Sequence, residues 1–303
     1  MAAEFLDQPV KRETAVGGDR RAAAASEVAR LAGKIALDYF ERAEVSWKAD
    51  DSMVTEADVA IQSWLEDEIA AAFPDDGILG EEGLTRQRLR PGAPFVWIID
   101  PVDGTNNFGR GIPGFAISVG VFRDGMPYAG AVYDPVSSQL FTACVGHGAW
   151  LNGRRLTVEP IVLSSRSLFS IRSPFSDDVP GYVREWLRRY RLRRFGSTAL
   201  QLCYVAAGAL AFVHDHRASL WDIAGAAPML LEAGGILTGE DGGPLFPIDP
   251  NTYGGEPIAF LAGDPTGHRL SLADIGRAPT EEGGPAAGTS GRRARAGTSP
   301  RAV

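Results

Sequence analysis

The chain has 303 residues, 45% of them hydrophobic and 22% charged, with a net charge of −8. That balance suits one large or two modest globular domains and argues against nucleic acid or an anionic membrane as a partner, while bound cations would still admit an anionic substrate. No apolar run approaches the roughly 18 residues of a membrane span.

Residues 1–21 lack the basic-then-apolar order of a secretory leader and read as a flexible lead. A helix follows from Ala22 to Arg42, with Val28, Leu31, Ile35 and Tyr39 on one face. A second runs from Thr55 to Phe73 on Ala57, Ile61, Leu65 and Ile69, and Pro74 ends it. "DDGILGEEG" is a short apolar step that closes on Glu81 and Glu82. "PFVWIID" reads as a buried strand. A hairpin turns at Asp124-Gly125, and two further short strands turn near Asn152-Gly153.

From Ile161 the pattern restarts. "LFSIRSPF" is strand-like, "VPGYVREWLRRY" helical and "RLRRFGS" a strand. "TALQLCYVAAGALAFVHD" is an apolar helix that runs into a strand. "WDIAGAAPMLLEAGG" reads as one helix closed by Gly234-Gly235, and "AFLAG" is a late strand. Residues 276–303, rich in Gly, Pro, Ala, Ser and Thr with scattered Arg, cannot bury a core and read as a disordered tail. The fold expected is a layered α/β (α+β) sandwich of two subdomains, 22–158 and 159–275. Cys144 and Cys203 form no close pair, which fits reduced thiols in a cytoplasmic protein.

Acids end three buried elements: Glu81 and Glu82 in "GEEG", Asp100 and Asp103 in "DPVDGT", and Asp222 in "LWDIAG". If these ends converge, the like charges raise one another's pKa, and hard divalent cations relieve them. Four histidines and two unpaired cysteines make zinc a poor fit. Pro101 stiffens the turn between Asp100 and Asp103, and the Val102 carbonyl offers a further oxygen. Gly104 allows close backbone approach, and a helix starting at Thr105 would turn N–H groups toward an anion. Metal ions beside an anion site describe a pocket for a phosphate ester. With neither a G-x-S-x-G elbow nor a P-loop, direct attack by a metal-activated water is expected rather than a covalent intermediate. Thr105 and Asp58 are the expected proton relay.

Five stretches occur in order between Ala24 and Asp274: "DSMVTEAD", "GEEG", "WIIDPVDGTNNF", "GSTALQLCYVAAG" and "LWDIAGAAPMLLEAGG". Through them the chain resembles the inositol monophosphatase family of Mg²⁺-dependent, lithium-sensitive phosphatases. The resemblance implies two to three Mg²⁺ per site. Glu81, Asp100 and the Val102 carbonyl would hold the first, Asp100, Asp103 and Asp222 the second, and a weaker third would sit near Glu81. It implies Glu82 as an acid just behind these ligands, and Thr105 with Asp58 as the pair that polarises the water. Gly104 and Thr105 would give backbone N–H groups to the phosphate, and Lys48 would be a basic residue on the loop before the second helix. Asp103 and Asp222 would also touch substrate. A homodimer is common in the family.

Two positions depart from the inositol-specific pattern. Asp215 stands where those members carry a glutamate that grips sugar hydroxyls, and Thr198 replaces a smaller residue. The expected activity is hydrolysis of a small polyol or sugar phosphate, inositol 1-phosphate first. Histidinol phosphate and fructose 1,6-bisphosphate are the alternative substrates, and a regulatory or scaffold protein without turnover is the alternative of another class.

Plainer readings stand beside these. Asp222 and Asp58 suit helix caps, and Glu82 suits a solvated neighbour of Glu81. His214 and His216 are expected to face opposite sides of a strand and to bind no metal. The six arginines from Arg184 to Arg194 suit a solvated helix face followed by an edge strand, with some free to attract an anionic substrate.

Overall fold

The computed structural model describes residues 18–40, 42, 45–47, 53–83, 88–175 and 178–277. The readings made for the tail, for Lys48 and for most of the lead lie outside them. Helix α1 (Arg20–Tyr39) precedes a short hairpin of β1 (Val45–Trp47) and β2 (Met53–Thr55), and α2 (Glu56–Ala72) follows directly. Strands β3 (Gly77–Gly80) and β4 (Phe95–Asp103), the short helix α3 (Thr105–Phe108), then β5 (Ala116–Arg123), β6 (Met126–Asp134), β7 (Gln139–Cys144), β8 (Gly148–Leu151) and β9 (Arg154–Leu156) complete the first half. The seven strands β3 to β9 form one sheet in chain order.

The second half begins with β10 (Leu168–Ile171), α4 (Gly181–Arg189) and β11 (Arg191–Leu192), followed by α5 (Thr198–Ala206) and β12 (Phe212–Ala218). It continues through α6 (Leu220–Ala224), α7 (Ala227–Glu232), β13 (Ile236–Gly239), β14 (Ile258–Gly263) and α8 (Pro265–Gly276). Its five strands pair in the order β11-β10-β12-β14-β13.

Helices α1 and α2 cover one face of the larger sheet, where the buried alanines of α1 meet Trp97, Ile99, Ile117 and Val119. Helices α5, α6 and α7 fill the space between the two sheets, and α4 and α8 cover the outer face of the smaller one through Trp186, Phe169 and Phe212. Each sheet thus buries both faces against helices, which is why its strands are nearly continuous in apolar residues.

The first helix begins at Arg20, inside the stretch expected to be flexible. The cause is local. Asp19 caps it, accepting from the Arg21 and Ala22 N–H groups, and Arg21 pairs with the buried Asp76 at 2.7 Å. The single helix expected over "WDIAGAAPMLLEAGG" is two, α6 and α7, broken at Gly225 and Ala226. Pro228 sits in the first turn of α7, and its ring would collide with the Ala224 carbonyl of a continuous helix. The break is also a packing feature. Gly120 and Gly130 face each other across β5 and β6, and a Cβ on Gly120 would lie 2.5 Å from the Ala224 carbonyl. Two facing glycines let the end of α6 and the break after it press onto the sheet.

The strand expected over "RLRRFGS" shortens to the two residues of β11 at the sheet edge, and all six arginines of this region are exposed. His214 and His216 share one side of β12, with ring centroids 6.5 Å apart, because residues two apart on a strand point the same way. His214 is buried beside Tyr182 and Trp186, and His216 stacks on Phe175. Both cysteines are buried and unbridged. No described helix is long and apolar enough to cross a membrane.

Candidate active site

Asp100 and Asp103 stand three apart on β4, a spacing that sends side chains to opposite faces of a regular strand. Here the register breaks between them. Asp100 pairs with Ser118 and Asp103 with Ala116, so three steps on β4 match two on β5. The extra residue is a bulge at Pro101-Val102, and it turns both carboxylates the same way. Asp222 reaches them from the first turn of α6. One oxygen from each of Asp100, Asp103 and Asp222 lies within 4.8 Å of the others.

Asp103, Asp222 and the nearby Asp58 are also tied to helix N-termini. Asp222 accepts the Ser219 N–H at 2.9 Å and completes a capping box on α6. Asp103 accepts three hydrogen bonds at the start of α5: from the Ser197 hydroxyl, from the Thr198 N–H at 3.1 Å and from the Ala199 N–H at 2.7 Å. Asp58 caps α2, accepting the Thr55 N–H at 2.8 Å on Oδ2, while its Oδ1 takes the Thr105 hydroxyl at 3.2 Å. Asp222 and Asp58 thus make the helix caps expected of them while each keeps an oxygen toward the cavity or Thr105.

Burial raises the Asp100 carboxyl well above its ordinary range, and the charges of Glu81, Asp103 and Asp222 push it further. Burial and then the charge of Asp103 raise Asp222 in the same way. Burial also lifts Asp103, but its hydrogen bonds and Arg172 hold it to about 6. A hard divalent cation suits this set: buried oxygens, no nitrogen or sulfur in the group, and charges too close to remain ionised alone. Glu81 lines the same cavity, although its carboxylate stands outside the 4.8 Å group. The Val102 carbonyl accepts the Thr105 hydroxyl at 3.0 Å and keeps a second lone pair. Gly104 has φ 103°, and a Cβ there would press on the Gly114 carbonyl at 3.0 Å.

The cavity holds about 400 Å³, with Glu81, Asp100, Asp103 and Asp222 along its wall. Thr198 lines it; Asp215 and Glu82 do not. Asp215 is 1% exposed, accepts the Arg217 N–H at 2.9 Å and lies 3.5 Å from Arg172. One Asp215 oxygen is held by its own strand; the other, Oδ2, accepts the Thr198 hydroxyl at 3.3 Å and faces Arg172, so Asp215 stands directly behind two residues of the cavity wall. Glu82 has its backbone clamped from α2: Gln62 donates to the Glu82 carbonyl at 2.7 Å and accepts its N–H at 2.8 Å.

Sequence reading missed Ser197, Gln62, Asn107 and Arg172, and it named Arg194 only as one of six arginines, some of them free to attract an anionic substrate. Ser197 carried a signal, a serine just before an apolar helical run. Asn107 joins distant loops by donating to the Gly114 and Phe195 carbonyls at 2.7 and 2.6 Å, a role no spacing reveals.

Residues 19–264 match the model of the inositol monophosphatase family. The chain belongs to that family. The Nus factor SuhB of Pseudomonas aeruginosa is 35% identical over 78% of this chain and 92% of its own. A fructose-1,6-bisphosphatase/inositol-1-monophosphatase of Thermotoga maritima is 37% identical over 61% of this chain and 71% of its own. Among solved structures, an inositol monophosphatase of Thermotoga maritima superposes with a TM-score of 0.75 at 29% identity, covering 85% of this chain and 97% of that one. Family and fold make the protein a phosphomonoesterase built as an inositol monophosphatase-like layered sandwich.

Proposed function

We propose that the protein is a Mg²⁺-dependent hydrolase of a small polyol or sugar phosphate, inositol 1-phosphate being the reference substrate. The observation that carries this reading is the meeting of Asp100, Asp103 and Asp222 from separate parts of the chain in one cavity. Those three acids, with Glu81 and the Val102 carbonyl, would hold the cations. When bound, Mg²⁺ neutralises phosphate oxygens, makes a water acidic enough to react, and steadies the leaving oxygen.

The chain's own groups supply the rest. The Thr105 hydroxyl donates to Asp58 or to the Val102 carbonyl, which leaves its oxygen lone pairs to accept a proton from water in the cavity. Burial raises Asp58, so it can take up a proton nearer neutral pH than an exposed aspartate. Backbone N–H groups at Gly104 and Thr105 orient the phosphate. Glu82 acts from behind, through its charge on Asp58. Lithium inhibition, a homodimer and a cytoplasmic setting belong to the same reading.

Phosphate release from inositol 1-phosphate, histidinol phosphate and a panel of sugar phosphates, with and without Mg²⁺ and with lithium added, tests it. Release that needs Mg²⁺ and falls with lithium is expected, and Thr105→Ala should slow it by about 10²–10⁴-fold. The relatives called Nus factors favour a second reading, a regulatory protein without turnover. Mg²⁺ binding with no release from any ester would select that reading and reject the first.

A further inference from the structure

Two cationic side chains share the cavity with the acids. Arg172, at the end of β10, and Arg194, just after β11, both line the cavity. They are neighbours: Arg194 donates to the Ile171 carbonyl at 3.2 Å, one residue before Arg172. Arg172 lies 3.5 Å from the buried Asp215 and 3.6 Å from Asp222 of the acid cluster. Both contacts are longer than a well-formed charged hydrogen bond, so they orient the guanidinium without using up its donors. Among the described residues, no carboxylate lies within ion-pair reach of Arg194.

We infer that the alcohol half of the substrate carries a second anionic group, phosphate or carboxylate, which Arg172 and Arg194 receive. The inference rests on the phosphatase reading and narrows it. A neutral polyol would offer these two forks only hydroxyls, whereas a phosphate or carboxylate matches the planar donor pattern of a guanidinium. Asp215, the acid expected to greet hydroxyls, is 1% exposed and sits behind Thr198 and Arg172. The cavity, at about 400 Å³, has room for a small doubly anionic ester.

Two matched pairs test this at saturating Mg²⁺. Fructose 1,6-bisphosphate and fructose 1-phosphate differ by one phosphate; 2-phosphoglycerate and glycerol 2-phosphate differ by one carboxylate. The native protein should favour the doubly anionic member of at least one pair by about tenfold or more in kcat/KM, and the pair that responds identifies the anion. Arg194→Ala should reduce that ratio toward one, mainly through KM, with Arg194→Lys in between; far-ultraviolet circular dichroism checks that each variant is folded. Mg²⁺-dependent release with no preference in either pair, or a preference that survives Arg194→Ala, overturns the inference and leaves the phosphatase reading standing. No release from these four esters or from inositol 1-phosphate overturns both.

Discussion

Asp100 is the clearest case of a residue whose placement makes sense only through its chemistry. It is 1% exposed and shares its space with the charges of Glu81, Asp103 and Asp222. Asp100→Asn keeps the shape and removes one like charge. Phosphate release should fall beyond the roughly 10–100-fold that loss of an outer partner costs. The melting temperature of the metal-free protein should rise by at least about 2 °C, since relief of buried repulsion is worth about 1 kcal/mol or more. Activity assays and thermal melts in chelator check both. A carboxylate that served stability alone would lower the melting temperature, and that result would remove Asp100 from the site. Residue types and spacing already singled out the acids, because charges at the ends of apolar runs are costly without a purpose. Arg172 was not legible, since an arginine after a strand says nothing about which cavity it enters.

Among the elements, helix starts do most of the positioning. α2, α5 and α6 each begin beside the cavity, and each engages an acid there through its first turn. An acid that satisfies helix N–H groups is held in one orientation, so Asp103 and Asp222 present fixed oxygens to the cavity. Gln62 extends this to the loop carrying Glu81 and Glu82. Its amide grips the Glu82 backbone on both sides, and Glu66 receives its remaining hydrogen at 2.9 Å. Gly80 is small because a Cβ there would strike the Gln62 amide. Gln62→Ala should raise the Mg²⁺ concentration for half-maximal phosphate release by about tenfold while lowering the rate at saturating Mg²⁺ less. A Mg²⁺ titration separates the two effects, and an unchanged half-point would show that the clamp does not position Glu81. The helices themselves were visible from periodicity. The break between α6 and α7 was hidden by an unbroken run of helix-compatible residues, with Pro228 its only warning.

On the scale of the whole molecule, the acid cluster ties stability to pH and to magnesium. Asp58, Asp100 and Asp222 are raised above 3.8, and Asp103 reaches about 6. A raised carboxyl means that the folded state binds more protons than the unfolded chain. Stability of the metal-free protein should therefore fall as pH rises from about 4 through about 6. On the proposed reading magnesium would replace those protons on the same oxygens, so its stabilisation should be larger at pH 7.5 than at pH 5. Melting curves at both pH values, in chelator and in Mg²⁺, check the sign. A greater gain at pH 5 would mean that the ion binds elsewhere. The two-sheet sandwich explains why such a cluster survives: α5 and α6 are wedged between the sheets, and their burial outweighs the local repulsion.

The sequence alone determined the kind of chemistry and the class of fold. Ordered acidic motifs at the ends of apolar segments point to hard-cation ligands, and alternating helical and strand patterns specify layers, because both are local consequences of side-chain type and period. Tertiary structure decided where the charges went afterwards. It turned Asp100 and Asp103 to one side by a bulge, set Asp215 behind Thr198 and Arg172, and brought Arg172 and Arg194 to the cavity wall. Those choices depend on contacts between segments far apart in the chain, and no local pattern encodes which of several polar residues ends up facing the same few hundred cubic ångströms.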